Sequence, residues 1–150
     1  IIHEIKYHGV KDVLKDVPRW LNRNDSFREF LHDSILIPVP LHRKRLRKRG
    51  FNQSLWIANA FKKDLGDRVQ VIEALTRTRN TETQTEFDRF ERKKNVKNAF
   101  ALKKKNGLNK QNKLILIDDV YTTGATLDEC AKALTQEGFQ NVNVATLGHG

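Results

Sequence analysis

The sequence predicts a single α/β domain in which helices cover both faces of a parallel β-sheet. Short apolar runs alternate with amphipathic stretches along the 150 residues, an order typical of strand–helix–strand units joined by right-handed crossovers. The run Leu114–Ile117 is apolar at every position, as in a strand buried on both faces. A chain of this length can form one sizeable core. We therefore assign residues 1–150 to one domain, with a helical region over roughly 1–34 and the α/β core over 35–150.

The first half of the chain contains two predicted helices and one buried strand. Helical spacing is seen at Val10, Val13, Leu14, Val17 and Leu21. Pro18 should kink or split that helix. Ile35–Ile37 is the first strand, and Pro38 should end its pairing because proline lacks an N–H group. Gln53–Leu65 is the second helix, and Gly66 terminates it. Its inward positions are Ile57, Ala58, Phe61 and Leu65.

The second half contains further strands separated by polar segments. Thr76–Lys97 is rich in Thr, Arg and Glu, and we expect it to be partly helical and partly a mobile loop. Lys103–Lys113 is a basic turn, and Thr126–Glu137 is a helix that Gly138 ends. The remaining predicted strands are Val69–Leu75, Val96–Leu102 and Val142–Leu147.

The charge distribution indicates an anionic partner. The formal net charge is +10, and six of the seven residues from Arg43 to Arg49 are basic. Nucleotide phosphate, pyrophosphate and nucleic acid all fit this bias. These side chains fit either a solvated face or a nonspecific polyanion-binding patch. Arg49 adjoins Gly50 in a loop that we expect between the first strand and its helix.

Cysteine and apolar content narrow the class of protein further. Cys130 is the single cysteine, which excludes an intrachain disulfide and a cysteine-based metal cluster. Its helical spacing with Leu127 and Leu134 predicts a small core residue. The histidines show no paired spacing typical of metal ligands, and we assign no protein metal site. No apolar run approaches the roughly 18 residues of a membrane span, and the composition fits a reducing cytoplasm.

The most informative segment is Leu114–Thr126, where a buried strand leads into a polar turn and a helix. Asp118 and Asp119 end the predicted strand, where an open α/β sheet forms its ligand crevice. The turn can offer backbone N–H groups, hydroxyls and a helix dipole to one phosphate. A side chain at Gly124 would enter the phosphate site and not the core. The turn residues are Thr122, Thr123, Gly124, Ala125 and Thr126.

This segment resembles the ribose-phosphate signature of type I phosphoribosyltransferases, which have a Rossmann-like parallel-sheet fold. The resemblance implies binding of phosphoribosyl pyrophosphate (PRPP) with Mg²⁺. Asp118 and Asp119 would then accept hydrogen bonds from the ribose hydroxyls and favour an oxocarbenium-like centre. Thr122–Thr126 would hold the 5′-phosphate. Magnesium would be bound through substrate oxygens and water more than by the protein.

Other segments resemble one subfamily, the ComF group of competence proteins. They are Lys6–Gly9, Pro38–Leu41, Arg49–Gln53, and Arg77–Arg79 continuing through Gln84 to Arg92 and Asn95. Members commonly begin with a four-cysteine zinc module, which this sequence lacks, so we expect no zinc. The resemblance implies a link to natural competence and DNA uptake, and residues 1–34 would contribute to the hood that selects the acceptor.

The resemblance also suggests roles for four further residues. Arg49 and Gly50 lie where this fold places its pyrophosphate-binding loop. Arg77 and Arg79 lie where related enzymes carry a flexible loop, so they would join the catalytic site as that loop closes over the substrate and excludes water.

Two classes of function remain open from the sequence. The first is a phosphoribosyltransferase of unknown acceptor. The second is a non-catalytic protein of the same fold that binds a nucleotide, single-stranded DNA or competence-machinery proteins. Basic residues interleaved with Phe51, Trp56, Phe87, Phe90 and Phe100 are typical of stacking platforms for single strands. They also fit a core, which we favour for Trp56 and Phe61. Salvage of a conventional purine or pyrimidine base is a third and weaker interpretation. The sequence is also compatible with an oligomer.

Overall fold

The computed structural model describes residues 21–79 and 96–149. The predicted helix over 10–21, the segment Lys6–Gly9 and residues 80–95 lie outside this description, apart from Leu21. The helices are α1 (Asp25–Leu31), α2 (Arg43–Arg49), α3 (Gln53–Leu65) and α4 (Ala125–Thr135), with a 3₁₀ turn at Gly66–Arg68. The strands are β1 (Ser34–Pro38), β2 (Val69–Val71), β3 (Leu75–Arg77), β4 (Phe100–Leu102), β5 (Leu114–Tyr121) and β6 (Val142–His149).

Four strands form a parallel sheet in the order β2-β1-β5-β6, which confirms the predicted fold class. The central pair aligns Ile35 with Leu114 and Pro38 with Ile117. All five residues of β1 are buried. The first four residues of β5 are buried as well. Their apolar character follows from this position, because the centre of a parallel sheet is covered on both faces.

Alternate residues of β5 enter two separate cores, one on each face of the sheet. Ile115 and Ile117 pack with α1 and α3, in a cluster that includes Leu31, Ile57 and Phe61. On the other face, a second cluster joins Leu114 and Leu116 to α4 and to the β3–β4 ribbon. It includes Leu127, Cys130 and Leu134, as the helical spacing predicts. Helices therefore cover both faces of the sheet.

The predicted strand over Val69–Leu75 is wrong, because it is two strands in different sheets. Val69–Val71 extends the parallel sheet, whereas Leu75–Arg77 pairs antiparallel with Phe100–Leu102. Between them the N–H group of Ala74 donates to the carbonyl of Ile72 at 2.9 Å. This three-residue turn bends the chain away from the sheet. A continuous apolar pattern does not reveal such a turn.

The predicted loop position of Arg49 is also wrong, because Arg43–Arg49 form helix α2. His42 caps its first turn by accepting a hydrogen bond from the backbone N–H of Lys44, and Gly50 ends it with φ of +80°. Arginine, lysine and leucine are good helix formers, and the basic residues of the last turn complement the helix dipole. The helix buries none of its residues, so apolar periodicity could not predict it.

Candidate functional site

The acid pair lies at the carboxyl edge of the sheet, but inside β5 and not at its end. Pairing with β1 stops at Ile117, whereas pairing with β6 continues through Asp118 to Tyr121. The predicted strand end at Asp119 is therefore two residues too early. Beyond Ile117 only one neighbour remains, which opens a cleft beside the strand. This cleft has a volume of about 360 Å³ and is lined by Asp118 and Asp119.

Two hydrogen bonds orient the side chain of Asp118. Oδ1 of Asp118 accepts from the Ser54 hydroxyl at 2.9 Å and from the backbone N–H of Asp119 at 2.9 Å. Asp119 is 9% exposed. Among the described residues, no three His, Cys, Asp or Glu side chains are grouped so that they could hold a metal ion.

The turn after β5 leads directly into α4. The residues from Thr122 to Leu127, which include the first residues of α4, line the cleft. Helix α4 begins at Ala125, one residue before the predicted start. Gly124 has φ of +73°, a backbone conformation that residues other than glycine adopt only with strain. A Cβ added there would stand 2.6 Å from the hydroxyl oxygen of Tyr121. A side chain at Gly124 would therefore first meet the ring of Tyr121, which lines the same cleft and is not part of the core. Its entry into a phosphate site stays a prediction.

Three arginines also line the cleft. Arg45 and Arg49 lie one helical turn apart on α2, and Arg77 lies on β3. Arg49 is placed in the cleft, as the sequence predicts. Gly50 is not among the lining residues and serves as the left-handed cap of α2. From the sequence alone, Arg45 has no predicted role separate from the rest of the basic run. Only recognition of α2 as a helix would have revealed its i, i+4 relation to Arg49.

The side chain of Arg77 is half-buried and lines the cleft. Burial is the main reason that its pKa falls to about 10, and the charge of Arg45 lowers the pKa further, whereas Asp118 raises it. Its guanidinium lies 5.3 Å from the ring centroid of Phe100, its partner in the β3–β4 register. The predicted loop position of Arg77 is therefore wrong, because this residue belongs to a paired strand.

Arg79 lies beyond the end of β3 and outside the cleft lining. It is exposed, and its guanidinium donates to the carbonyl of Lys97 at 3.0 Å. The further positions Gln84, Arg92 and Asn95 lie outside the described residues. The role of Arg79 in closure stays a prediction.

Two of the predicted aromatic positions form a stacked pair next to α2. The rings of Phe51 and Trp56 have centroids 4.3 Å apart at an interplanar angle of 14°. Both residues are half-buried, so the core position favoured for Trp56 is wrong, whereas Phe61 is in the core as predicted. Phe100 is buried against α4, and residues 87 and 90 lie outside the described part.

Fold comparison defines the class of protein. The structure is similar to the crystal structure of purine phosphoribosyltransferase from Pyrococcus horikoshii Ot3, with a TM-score of 0.50 and 17% sequence identity. The match covers 91% of this chain and 72% of that one. Together with the parallel sheet and the position of the acid pair, it establishes the type I phosphoribosyltransferase fold.

Sequence comparison then finds relatives of this chain. The chain is 33% identical to DNA utilization protein YhgH of Escherichia coli (strain K12), over 96% of this chain and 63% of the relative. It is 34% identical to Competence protein F of Haemophilus influenzae, over 73% of this chain and 47% of that protein. Competence protein ComFC of Bacillus subtilis is 34% identical over 69% of this chain and 39% of its own length. The chain is therefore a homologue of these proteins, which are named for DNA utilization and competence.

Three further observations complete the comparison. No protein-family model matches the chain. The chain spans 63% of the length of the YhgH proteins from E. coli, which is less than two thirds. Within residues 21–79 and 96–149, none of the helices combines the length and apolar character needed to cross a membrane.

Proposed function

We propose that this protein binds PRPP with Mg²⁺ and transfers its phosphoribosyl group to an acceptor nucleophile. The observation that carries the proposal is the composition of one cleft. Two carboxylates, a glycine turn at a helix N-terminus and three arginines line the same space of about 360 Å³. A sugar carrying one phosphate and one pyrophosphate presents hydroxyls and anions that such a cleft can accept.

The 5′-phosphate would bind at Thr122–Thr126. This segment contains the turn and the first two residues of the 11-residue helix α4, whose first N–H groups and dipole favour an anion. Gly124 allows the backbone to take its left-handed conformation at the helix start. The ribose hydroxyls would donate to Asp118 and Asp119, since hydrogen bonds to ionised carboxylates are stronger than neutral ones.

The pyrophosphate would bind against Arg45, Arg49 and Arg77. Two of these like charges already oppose each other, because Arg45 lowers the pKa of Arg77. A multiply charged anion would offset that repulsion and the desolvation of Arg77. Both effects make a pyrophosphate a better fit than a neutral ligand.

Positioning and electrostatics would then assist the departure of pyrophosphate. Positive charge develops on the ribose ring as its C1–O bond breaks, and the carboxylates of Asp118 and Asp119 would stabilise it. Negative charge develops on the leaving group, and the arginines would stabilise it. The carboxylate oxygens suit Mg²⁺, which would be held mainly through substrate and water and would offset pyrophosphate charge when bound.

The relatives suggest the process that this chemistry serves. They are named for DNA utilization and competence. We place this chain in the same process, acting on PRPP or a related nucleotide at its cleft in the cytoplasm.

A second candidate function is binding of single-stranded DNA on the outer face of α2. Four basic residues of this helix are exposed and lie outside the cleft lining, namely Arg43, Lys44, Arg47 and Lys48. The stacked pair Phe51–Trp56 follows the same helix. Basic residues beside aromatic rings favour phosphate contacts and base stacking.

Isothermal calorimetry separates the two functions. PRPP with Mg²⁺ and a short single-stranded DNA are titrated into the same protein. Binding of PRPP that requires Mg²⁺, followed by slow release of pyrophosphate in the presence of candidate acceptors, supports the transferase. If the protein binds the DNA and does not bind PRPP, the result would instead support the second candidate function and contradict the first.

A further inference from the structure

The first turn of α3 contains two polar residues that are almost completely buried. Gln53 and Ser54 are each 4% exposed, and both line the cleft. Asn52 caps this turn, since its side-chain oxygen accepts from the N–H of Ser54 at 3.1 Å. The amide nitrogen of Asn52 donates to the carbonyl of Val39 at 3.1 Å, which ties the turn to the end of β1. Buried polar groups require such partners, so the position of this turn is well defined.

Ser54 contacts the proposed ribose end of the cleft. Its hydroxyl donates to Oδ1 of Asp118 at 2.9 Å, across a separation of 64 residues in the sequence. The same oxygen accepts the backbone N–H of Asp119. Two donors on one carboxylate oxygen restrict the rotation of the Asp118 side chain.

Gln53 contacts the proposed pyrophosphate end. Its side-chain oxygen accepts from Nη1 of Arg49 at 2.5 Å. Arg49 is the last residue of α2 and is exposed, so its long side chain has many rotamers in the absence of a partner. The hydrogen bond to a buried acceptor selects rotamers that face the cleft.

We propose that Gln53 and Ser54 are positioning residues with separate tasks, which rests on the proposed function of the cleft. Ser54 orients Asp118 for the ribose hydroxyls, and Gln53 orients Arg49 for the pyrophosphate. The first turn of α3 thereby positions the two side chains that would bind the two ends of the ligand. Neither residue touches the reacting atoms in this scheme.

The test compares Ser54→Ala with Gln53→Met, each of which is the matched control for the other. Calorimetry measures affinity for ribose 5-phosphate, pyrophosphate with Mg²⁺, and PRPP with Mg²⁺. Ser54→Ala should weaken ribose 5-phosphate and PRPP by about 5- to 20-fold and leave pyrophosphate within about 2-fold. Gln53→Met should weaken pyrophosphate and PRPP and spare ribose 5-phosphate. Ser54→Thr, which keeps the hydroxyl, should restore ribose 5-phosphate binding.

Equal losses of all three ligands in both variants would show a merely structural turn and overturn the assignment, as would unchanged affinities. A wild-type protein that binds none of these ligands would refute the proposed function instead. A second measurement needs no ligand. Side-chain NMR couplings should report one Asp118 rotamer in the wild type and in Ser54→Thr, and averaging in Ser54→Ala. A single rotamer in Ser54→Ala would overturn the role of Ser54 independently of PRPP.

Discussion

The ring of Tyr121 occupies the space into which a side chain at Gly124 would project. The Tyr121 hydroxyl oxygen lies 2.6 Å from the ideal Cβ position at Gly124, and Cζ lies 2.9 Å from it. Tyr121 is 37% exposed and lines the cleft. The turn before α4 therefore depends on glycine for two reasons, a positive φ and a close aromatic neighbour.

Gly124→Ala should lower the free energy of unfolding by about 1–2 kcal/mol, because the positive φ strains alanine and Tyr121 must move. Urea unfolding measures the change. Part of the loss should be recovered in the Gly124→Ala/Tyr121→Ala double variant, when each is compared with its own Tyr121 background. Fully additive effects would show that the contact with Tyr121 contributes nothing.

Asp118→Asn combined with Asp119→Asn should weaken PRPP binding by roughly 2–4 kcal/mol, because two charge-assisted hydrogen-bond sites are lost. Calorimetry with Mg²⁺ measures the dissociation constant. Asp67→Asn is the control, since Asp67 lies outside the cleft lining and is fully exposed. An unchanged dissociation constant in the folded double variant would refute the ribose assignment.

Two double variants of α2 should distinguish the arginines that line the cleft from the arginines on the outer surface of the helix. Arg45→Gln/Arg49→Gln removes the two arginines of α2 that line the cleft, whereas Arg43→Gln/Arg47→Gln removes two arginines outside the cleft lining with the same i, i+4 spacing. The first pair should weaken pyrophosphate and PRPP. The second should weaken single-stranded DNA and lower the log–log salt slope by about 0.7 per phosphate contact. Equal losses of both ligands in both variants would indicate one shared anion site.

Arg77→Met should raise the melting temperature of the ligand-free protein and weaken pyrophosphate binding. Burial and Arg45 lower the pKa of Arg77 to about 10, so the charged form is held at a cost in folding free energy. Its removal should stabilise the fold by about 1 kcal/mol once the loss of contacts with Phe100 is included. Thermal unfolding and calorimetry test both effects. Arg79→Met is the comparison, and an equal loss of pyrophosphate affinity there would place Arg79 in the site.

The cap of α2 should weaken in mildly acidic solution. Nδ1 of His42 accepts from the N–H of Lys44 at 3.3 Å, which requires a neutral ring nitrogen. Partial burial and then Arg77, Lys44, Arg45 and Arg43 lower the pKa of His42 below 6.5. Because the folded-state pKa is the lower one, the stabilisation is present above pH 6.5 and is lost as the pH falls through the folded-state pKa.

NMR titration of the His42 ring should therefore give a midpoint below 6.5, and exchange of the Lys44 amide should accelerate under the same conditions. His42→Asn keeps a capping oxygen that does not titrate in this range, so it should remove the pH dependence of that exchange. Persistence of the pH dependence in His42→Asn would contradict the capping role.

Local patterns in the sequence determined the α/β class, the central strands and the acid pair. Consecutive apolar residues at Leu114–Ile117 report burial on both faces, and the spacing within Gln53–Leu65 reports one buried helix face. Such signals lie within a few residues of each other, so they can be interpreted without tertiary contacts. The acid pair and glycine turn are also contiguous, which allowed them to be assigned to one site.

Only the tertiary structure decided which distant side chains complete that site. Arg45 and Arg77 lie in the cleft because an exposed basic helix and a two-stranded ribbon both reach the carboxyl edge of the sheet. Ser54 meets Asp118 across 64 residues of sequence. Charge alone does not distinguish a solvated arginine from one that faces a ligand cleft, and a serine in a helix has no local signal for a distant carboxylate. Chain topology supplies both relations, because it brings β1, α2 and α3 to the end of β5.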